Sequence, residues 1–343
     1  MEPIKIRQGS AKNIHIIKEP CGDVPGEGIF EFLDYFSVFD WGRFLDDPIA
    51  GKGASVAAVS RKYFELLEEN GVKTHYRGMI DPVKMKVELV NIPEAGVNVP
   101  PGTKNYLLPI EIIFRVYTHP ESSDLKKIRE GKKSFWELGY EEMPKANEPL
   151  PRVKISYSTK LEAADRLLTK VEAMELSGLD EDEMMELEDL ATQVCEIITR
   201  HSDKSGLVHY DGKIEMAKDE NGEFMVTDVA GTLDEDRFML RLEGGEQVDI
   251  SKQFVRNWFV ANGWKIAVDE AKKIADIRGV SDWTTICVSP PRLPRHLNSL
   301  ASEMYLADAQ ARTGQNIGQL LGVKVRPLKE VAKDIYKIQR HCD

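Results

Sequence analysis

Apolar and polar residues change period repeatedly along this chain, and each change predicts an element. Alternation at Ile4-Lys-Ile6 and Ile14-His-Ile-Ile17 predicts two strands joined by the small-residue turn Gly9-Ser-Ala-Lys12. An aromatic-rich stretch from Phe30 ends in the loop DDPIAGKG at Gly53; then Val56, Val59, Tyr63, Leu66 and Leu67 recur at helical spacing. They predict a helix over 54–70, stopped by Asn70-Gly71. Strands are expected at 84–90 and 107–117, on either side of NIPEAGVNVPPGTKN. Residues 118–158 are rich in Pro, Gly and charge with little periodicity, and read as a long functional loop. A helix over 162–174 would carry Ala164, Leu167, Leu168 and Val171 on one face. A second starts at Asp180, where Glu183 completes a capping box, and buries Leu187, Leu190, Ala191, Val194 and Ile198. Further helices are expected over 251–262, 268–277, 295–312 and 328–340, with PPRLP at 290–294 breaking the chain. There is no internal repeat and no low-complexity segment.

The segment from Gly206 to Arg237 departs from simple patterning. It reads as a β-hairpin with Asp219-Glu-Asn-Gly222 at its turn, and it sets Asp211, Lys213, Glu215 and Asp228 among apolar residues. Lys213 and Glu215 are two apart and so share one strand face. Asp228 closes the second strand, and Arg237 follows. Two acids, a lysine and an arginine on one sheet face have the charge to hold Mg²⁺ and a polyphosphate. The plain alternative is a solvated strand face with cross-strand salt bridges. The Gly9 turn adds a weaker phosphate signal, because its backbone N–H groups and Lys12 suit an anion.

Bulk numbers exclude several classes. At 343 residues, with 42% hydrophobic and 30% charged residues, the chain is long enough for two lobes or one large α/β domain. A net charge of -11 argues against a nucleic-acid surface, which needs a basic footprint, but not against a small anionic substrate. Cys21, Cys195, Cys287 and Cys342 form no CxxC pair, and no HExxH occurs, so structural zinc, a disulfide framework and a zinc hydrolase are not expected. The N-terminus lacks a signal-peptide core and no run approaches membrane-spanning length, which makes the cytoplasm the expected location, with no membrane partner.

Several segments, in order, resemble one family, the phosphoribosylaminoimidazole-succinocarboxamide (SAICAR) synthases. LLPIEIIFR, Leu107–Arg115, is similar to its first signature, and DGKIE, Asp211–Glu215, to its second. DVAGTLDEDRF, Asp228–Phe238, resembles the family's DEVLTPDSSRF. Smaller matches are GSAK near the start, STKLEAADR at 158–166, SKQFVRNWF at 251–259, and PPRLP followed by a helix ending in ARTG. The resemblance covers about residues 6 to 315, with insertions near 91–106 and 266–288.

That resemblance implies a two-lobed α+β or α/β fold with ATP bound between lobes. An antiparallel-sheet N-lobe (1–110) would face a larger α/β C-lobe (111–316), followed by a helical extension (317–343). It implies an ATP-dependent ligase of purine biosynthesis that joins L-aspartate to carboxyaminoimidazole ribonucleotide (CAIR) through an acyl phosphate, with ATP and Mg²⁺. Such chemistry needs aligned charge rather than a protein nucleophile. By position, Glu215 and Asp228 match the Mg²⁺ carboxylates, and Lys213 and Asp211 the catalytic pair. Gly9, Ser10 and Lys12 match the ATP-phosphate loop, with Lys160 near the nucleotide. Arg115, Ser122 or Ser123, Asp165 and Arg237 match substrate-binding positions, while Lys252, Gln253 and Arg256 lie on a helix available to assist. Homo-oligomerisation is left open.

The chain also departs from the family pattern. VYTHPESSD, residues 116–124, lacks the family's Gly before the phosphate-binding serine. Val229 stands where an acid is usual, and Glu235 and Asp236 flank Arg237, where they would repel a phosphate unless they turn outward. These departures keep two other classes in view: a diverged ligase or phosphotransferase on the same scaffold, and a non-catalytic nucleotide-binding relative. Retention of Lys12, Lys213, Glu215 and Asp228 speaks against the latter.

Overall fold

In a computed structural model, residues 3–162 and 166–340 are described. The first sheet contains β1 (Lys5–Gln8), β2 (Lys12–Lys18), β3 (Gly26–Phe32), β4 (Tyr76–Asp81) and β5 (Lys84–Leu89), ordered β1-β2-β3-β5-β4. Helix α1 (Lys52–Glu69) enters through Gly51 and Gly53, whose N–H groups donate to the Asp34 carboxylate at 3.1 and 2.9 Å. A Cβ on Gly53 would lie 2.7 Å from the Phe32 carbonyl oxygen, so only glycine fits this approach.

The second sheet is built from β6 (Tyr106–Tyr117), β7 (Pro149–Thr159), β8 (Leu167–Leu168), β9 (Leu207–Lys218), β10 (Phe224–Thr227), β11 (Arg237–Arg241) and β12 (Gln247–Asp249). Its order is β12-β11-β9-β6-β7-β8, with β10 pairing the end of β9. Every ladder in both sheets is antiparallel, so the molecule is α+β rather than α/β. The passage between sheets falls in residues 90–105, upstream of the expected boundary at 110, because β6 lies wholly in the second sheet.

Helix α2 (Ser123–Arg129) and β7 lie inside the segment expected to be loop. Only the last three residues of β7 are fully buried, and its alternation is confined to Val153, Ile155 and Tyr157 at the end of a Pro- and charge-rich stretch. The helix expected from 162 starts only at α3 (Lys170–Ser177), where Thr169 and Glu172 form a capping box, and Leu167 and Leu168 are extended in β8. Helix α4 (Glu181–Asp203) has the predicted Asp180–Glu183 capping box and packs behind β9, β6 and β7. Helices α5 (Gln253–Ala261), α6 (Trp264–Arg278), α7 (Arg295–Thr313), α8 (Ile317–Leu321) and α9 (Leu328–Gln339) follow. α9 packs on α7 and β12 through buried Leu328, Val331, Ala332 and Ile335, so residues 328–339 join the main core.

Backbone hydrogen bonds stitch the sheets together beside β10. His75 N–H donates to the Val226 carbonyl (3.0 Å) and Val226 N–H to that of Lys73 (2.9 Å). Two residues past Val226, Asp228 therefore meets Lys12 of the first sheet.

Candidate active site

Between the sheets lies a cleft of about 970 Å³. Its floor is β9, from which Asp211, Lys213 and Glu215 project to one side as strand alternation requires. β6 supplies Glu111 and Arg115, in register with Glu215 and Asp211. Asp228, directly after β10, has φ 62, a left-handed conformation that an Asp tolerates better than most residues.

Charges of opposite sign alternate across this floor. Lys12 contacts Asp228, and Lys160 contacts Glu215 at 2.5 Å and Glu111 at 3.6 Å. Lys213 donates to Glu111 at 2.7 Å and lies 3.2 Å from Glu235. Burial, aided by the Asp228 charge, pushes Glu215 up to about 7 against the pull of Lys160 and Lys12. Burial also opposes ionisation of Asp228 and Glu235, but nearby lysines outweigh it and hold both below the ordinary carboxylate range. The same carboxylates outweigh burial at Lys213 and Lys160 and hold both ammonium groups above their usual value.

Arg237 lies against Asp211, with its Nε donating to Oδ1 at 2.7 Å and Nη2 contacting Oδ2. Asp211 is thus the anchor of an arginine. On the other side, His119 Nδ1 accepts from Arg237 Nη1 (3.1 Å) and Glu121 N–H (3.0 Å), which leaves its Nε2 proton for Asp249 at 3.1 Å. Asp249 also accepts from Ser251 at 2.5 Å. Arg115 donates to Ser156 at 2.7 Å, while its buried Nε has no partner. Of the two acids beside Arg237, Asp236 turns into the core to His209 (2.9 Å) and Glu235 turns to Lys213, so neither is paired with the guanidinium.

Gly9, Ser10, Lys12, Lys160, Arg115 and Arg237 therefore share the cleft with the three β9 side chains and Asp228. Ser122 does not line it: this buried side chain caps α2 by accepting from Asp124 N–H, and Ser123 faces the cleft instead. Asp165 lies outside the described residues. Glu111 and Glu235 were given no role from sequence, although Glu111 is the acid of the Pro-x-Glu signature. His119, where the Gly-containing family pattern is broken, gave no sequence signal for its place behind Arg237.

A model of the SAICAR synthetase family matches residues 5–271. The chain belongs to that family. A provisionally named phosphoribosylaminoimidazole-succinocarboxamide synthase of Archaeoglobus fulgidus is 35% identical, covering 94% of this chain and 99% of its own length. A phosphoribosylaminoimidazole-succinocarboxamide synthase of Thermoplasma acidophilum is 32% identical, covering 88% and 98%. Among solved structures, a type-2 SAICAR synthetase in complex with ADP aligns with TM-score 0.55 at 25% identity, covering 74% of this chain and 90% of that one.

Glu215 and Asp228 are two acids on the cleft wall. Among the described residues no group of three or more His, Cys, Asp or Glu could hold a metal. Glu215 and Asp228 are thus a donor pair suited to Mg²⁺, which takes one or two carboxylates together with nucleotide phosphates, and not a complete protein cage.

Proposed function

We propose that this protein is an ATP-dependent ligase that joins L-aspartate to CAIR, giving SAICAR, ADP and phosphate in purine biosynthesis. The observation that carries the reading is near full-length similarity to synthases of that name, joined to a cleft whose floor interleaves lysines and arginines with carboxylates. The CAIR carboxylate attacks the γ-phosphorus as ADP leaves, and the aspartate amine then attacks the acyl carbon as phosphate leaves. Neither step needs a protein nucleophile; both need charge held in place.

Within this reading, Lys12 and the Gly9–Ser10 turn cover the ATP phosphates, and Lys160 stands beside the nucleotide. Lys213, its ammonium charge secured by Glu111 and Glu235, neutralises the phosphoryl group in transfer. Arg115 and Arg237 grip the ribose phosphate, and Ser123 replaces Ser122 as the hydroxyl beside it. Glu215 and Asp228 would hold Mg²⁺, which neutralises phosphate oxygens when bound. The pairs Lys12–Asp228 and Lys160–Glu215 then have a clear use. Each ammonium exchanges its carboxylate for phosphate oxygens, so no charge is left buried and unpaired before or after binding.

With Asp236 and Glu235 bonded elsewhere, the altered acids no longer favour a diverged phosphotransferase. No helix among the described residues is long and apolar enough to cross a membrane. A cytoplasmic location belongs to the same proposal. The decisive assay is ADP release by purified protein with and without aspartate and CAIR. Turnover should require both, and its independence from aspartate would sink the ligase reading. Glu215→Gln and Asp228→Asn should each abolish Mg²⁺-dependent turnover.

A further inference from the structure

The Gly9 turn is gripped from outside the cleft. Within the backbone, Gly9 N–H donates to the Lys12 carbonyl at 2.8 Å, and Leu33 N–H to that of Ala11 at 2.9 Å. Among the described residues the Gly9 carbonyl has no backbone donor. It accepts instead from Arg43, with Nε at 3.1 Å and Nη2 contacting the same oxygen. Arg43 Nη2 also donates to Asn13 Oδ1 at 2.9 Å, and the guanidinium lies over the Tyr35 ring, 5.4 Å from its centre. Arg43 itself does not line the cleft.

The peptide between Gly9 and Ser10 is trans, so its N–H points opposite to its carbonyl. With the carbonyl fixed on Arg43, Ser10 N–H is turned the other way. Ser10 and Ala11 line the cleft, and among the described residues neither N–H has a hydrogen bond. Two successive free N–H groups make a concavity for an anion, provided that the turn keeps this form. Arg43 is itself well seated, because the next residue, Phe44, is buried in an aromatic cluster. The Phe44 ring stacks on Phe36 at 4.6 Å and meets Phe259 of α5 and Trp264 of α6 edge-on at 5.4 and 5.8 Å.

We infer that Arg43 is a positioning residue for the nucleotide phosphates, an inference that rests on the ligase reading above, in which this turn covers ATP. By holding the Gly9 carbonyl outward, it aims the Ser10 and Ala11 N–H groups at the phosphate oxygens. It touches no substrate and acts only through the turn. The planar fork serves the Gly9 carbonyl with two nitrogens while one of them also reaches Asn13, a geometry that a lysine ammonium does not reproduce.

The test is calorimetric titration of Mg²⁺–ADP and of adenosine onto wild type, Arg43→Met, Arg43→Lys and Asn13→Ala, with steady-state ADP release measured alongside. Arg43→Met keeps the apolar stem and loses every donor. It should weaken ADP and raise KM for ATP at least roughly fivefold, because fewer molecules hold the competent turn, with KM for aspartate and CAIR within about twofold. Arg43→Lys should fall between. Asn13→Ala leaves Arg43 in place without its second acceptor and should move ADP affinity the same way by less. Adenosine has no phosphate, so its affinity should stay within about twofold of wild type, whereas general damage to the cleft weakens both ligands alike. Unchanged ADP affinity in Arg43→Met, or equal weakening of ADP and adenosine, overturns the positioning role. Wild-type protein that binds ADP but shows no aspartate-dependent turnover would instead overturn the ligase reading, and the comparison of ADP with adenosine still decides the role of Arg43.

Discussion

Arg237 shows how single residues decide what a charge can do. Asp211 fixes two of its nitrogens and His119 a third, so the guanidinium is set before any ligand arrives. Removing it should weaken CAIR binding by about 1.5–3 kcal/mol, the worth of a charge-assisted hydrogen bond. His119 acts through Arg237 and is a positioning residue. His119→Phe takes from Arg237 one neutral acceptor, worth about 0.5–1.5 kcal/mol, besides freeing Glu121 N–H and Asp249, and should raise KM for CAIR at least roughly two- to tenfold with kcat little changed. His119→Gln, which keeps an acceptor, should recover part of that loss. If His119→Phe lowers kcat with an unchanged KM, the histidine does not act by setting Arg237.

At the scale of elements, the two adjacent serines at the start of α2 separate stability from binding. Ser122→Ala removes an N-cap and should cost about 1 kcal/mol in denaturant unfolding with KM for CAIR unchanged. Ser123→Ala should do the reverse, and identical effects from both would mean that α2 does not present Ser123 to the phosphate. The sequence could not separate them, since a one-residue offset is settled by which hydroxyl meets the helix N–H. The hairpin was legible because its chemistry is local: Lys213 and Glu215 share a face by period two alone. α4 was legible from its capping box. The same Thr169-x-x-Glu172 signature marks α3, yet the apolar spacing of Leu167 and Leu168 masked it. β7 carries a short alternation at Val153, Ile155 and Tyr157, but the Pro-, Gly- and charge-rich residues that precede it outweighed so brief a run. Pairs such as Lys12–Asp228 join distant segments and become visible only when both sheets are assembled.

For the whole molecule, the junction between sheets carries a pH liability. His75 sits there buried, its ring edge-on to Phe30 and Phe64 and its Nε2 without a partner. Burial lowers it from 6.5 to about 3; Lys12 and Arg77 act in the same direction, and Asp228 opposes them. The folded protein thus keeps His75 neutral where the unfolded chain protonates it. Stability from this residue is full above pH 6.5 and falls as pH drops toward 3, because the unfolded state binds the extra proton. The slope approaches 1.4 kcal/mol per pH unit, or about 2 kcal/mol lost by pH 5. His75→Gln cannot protonate, so whatever its stability at pH 7.5, it should lose about 2 kcal/mol less than wild type on going to pH 5. Urea unfolding of both proteins across that range isolates the histidine, since carboxylate contributions cancel in the difference. Parallel stability curves would mean that His75 takes up its proton within the folded state. Matching slopes in m would keep the comparison two-state. Because the same backbone bonds at His75 and Val226 bring Asp228 to Lys12, acid loosening of this junction should also remove activity at a higher pH than it unfolds the second sheet.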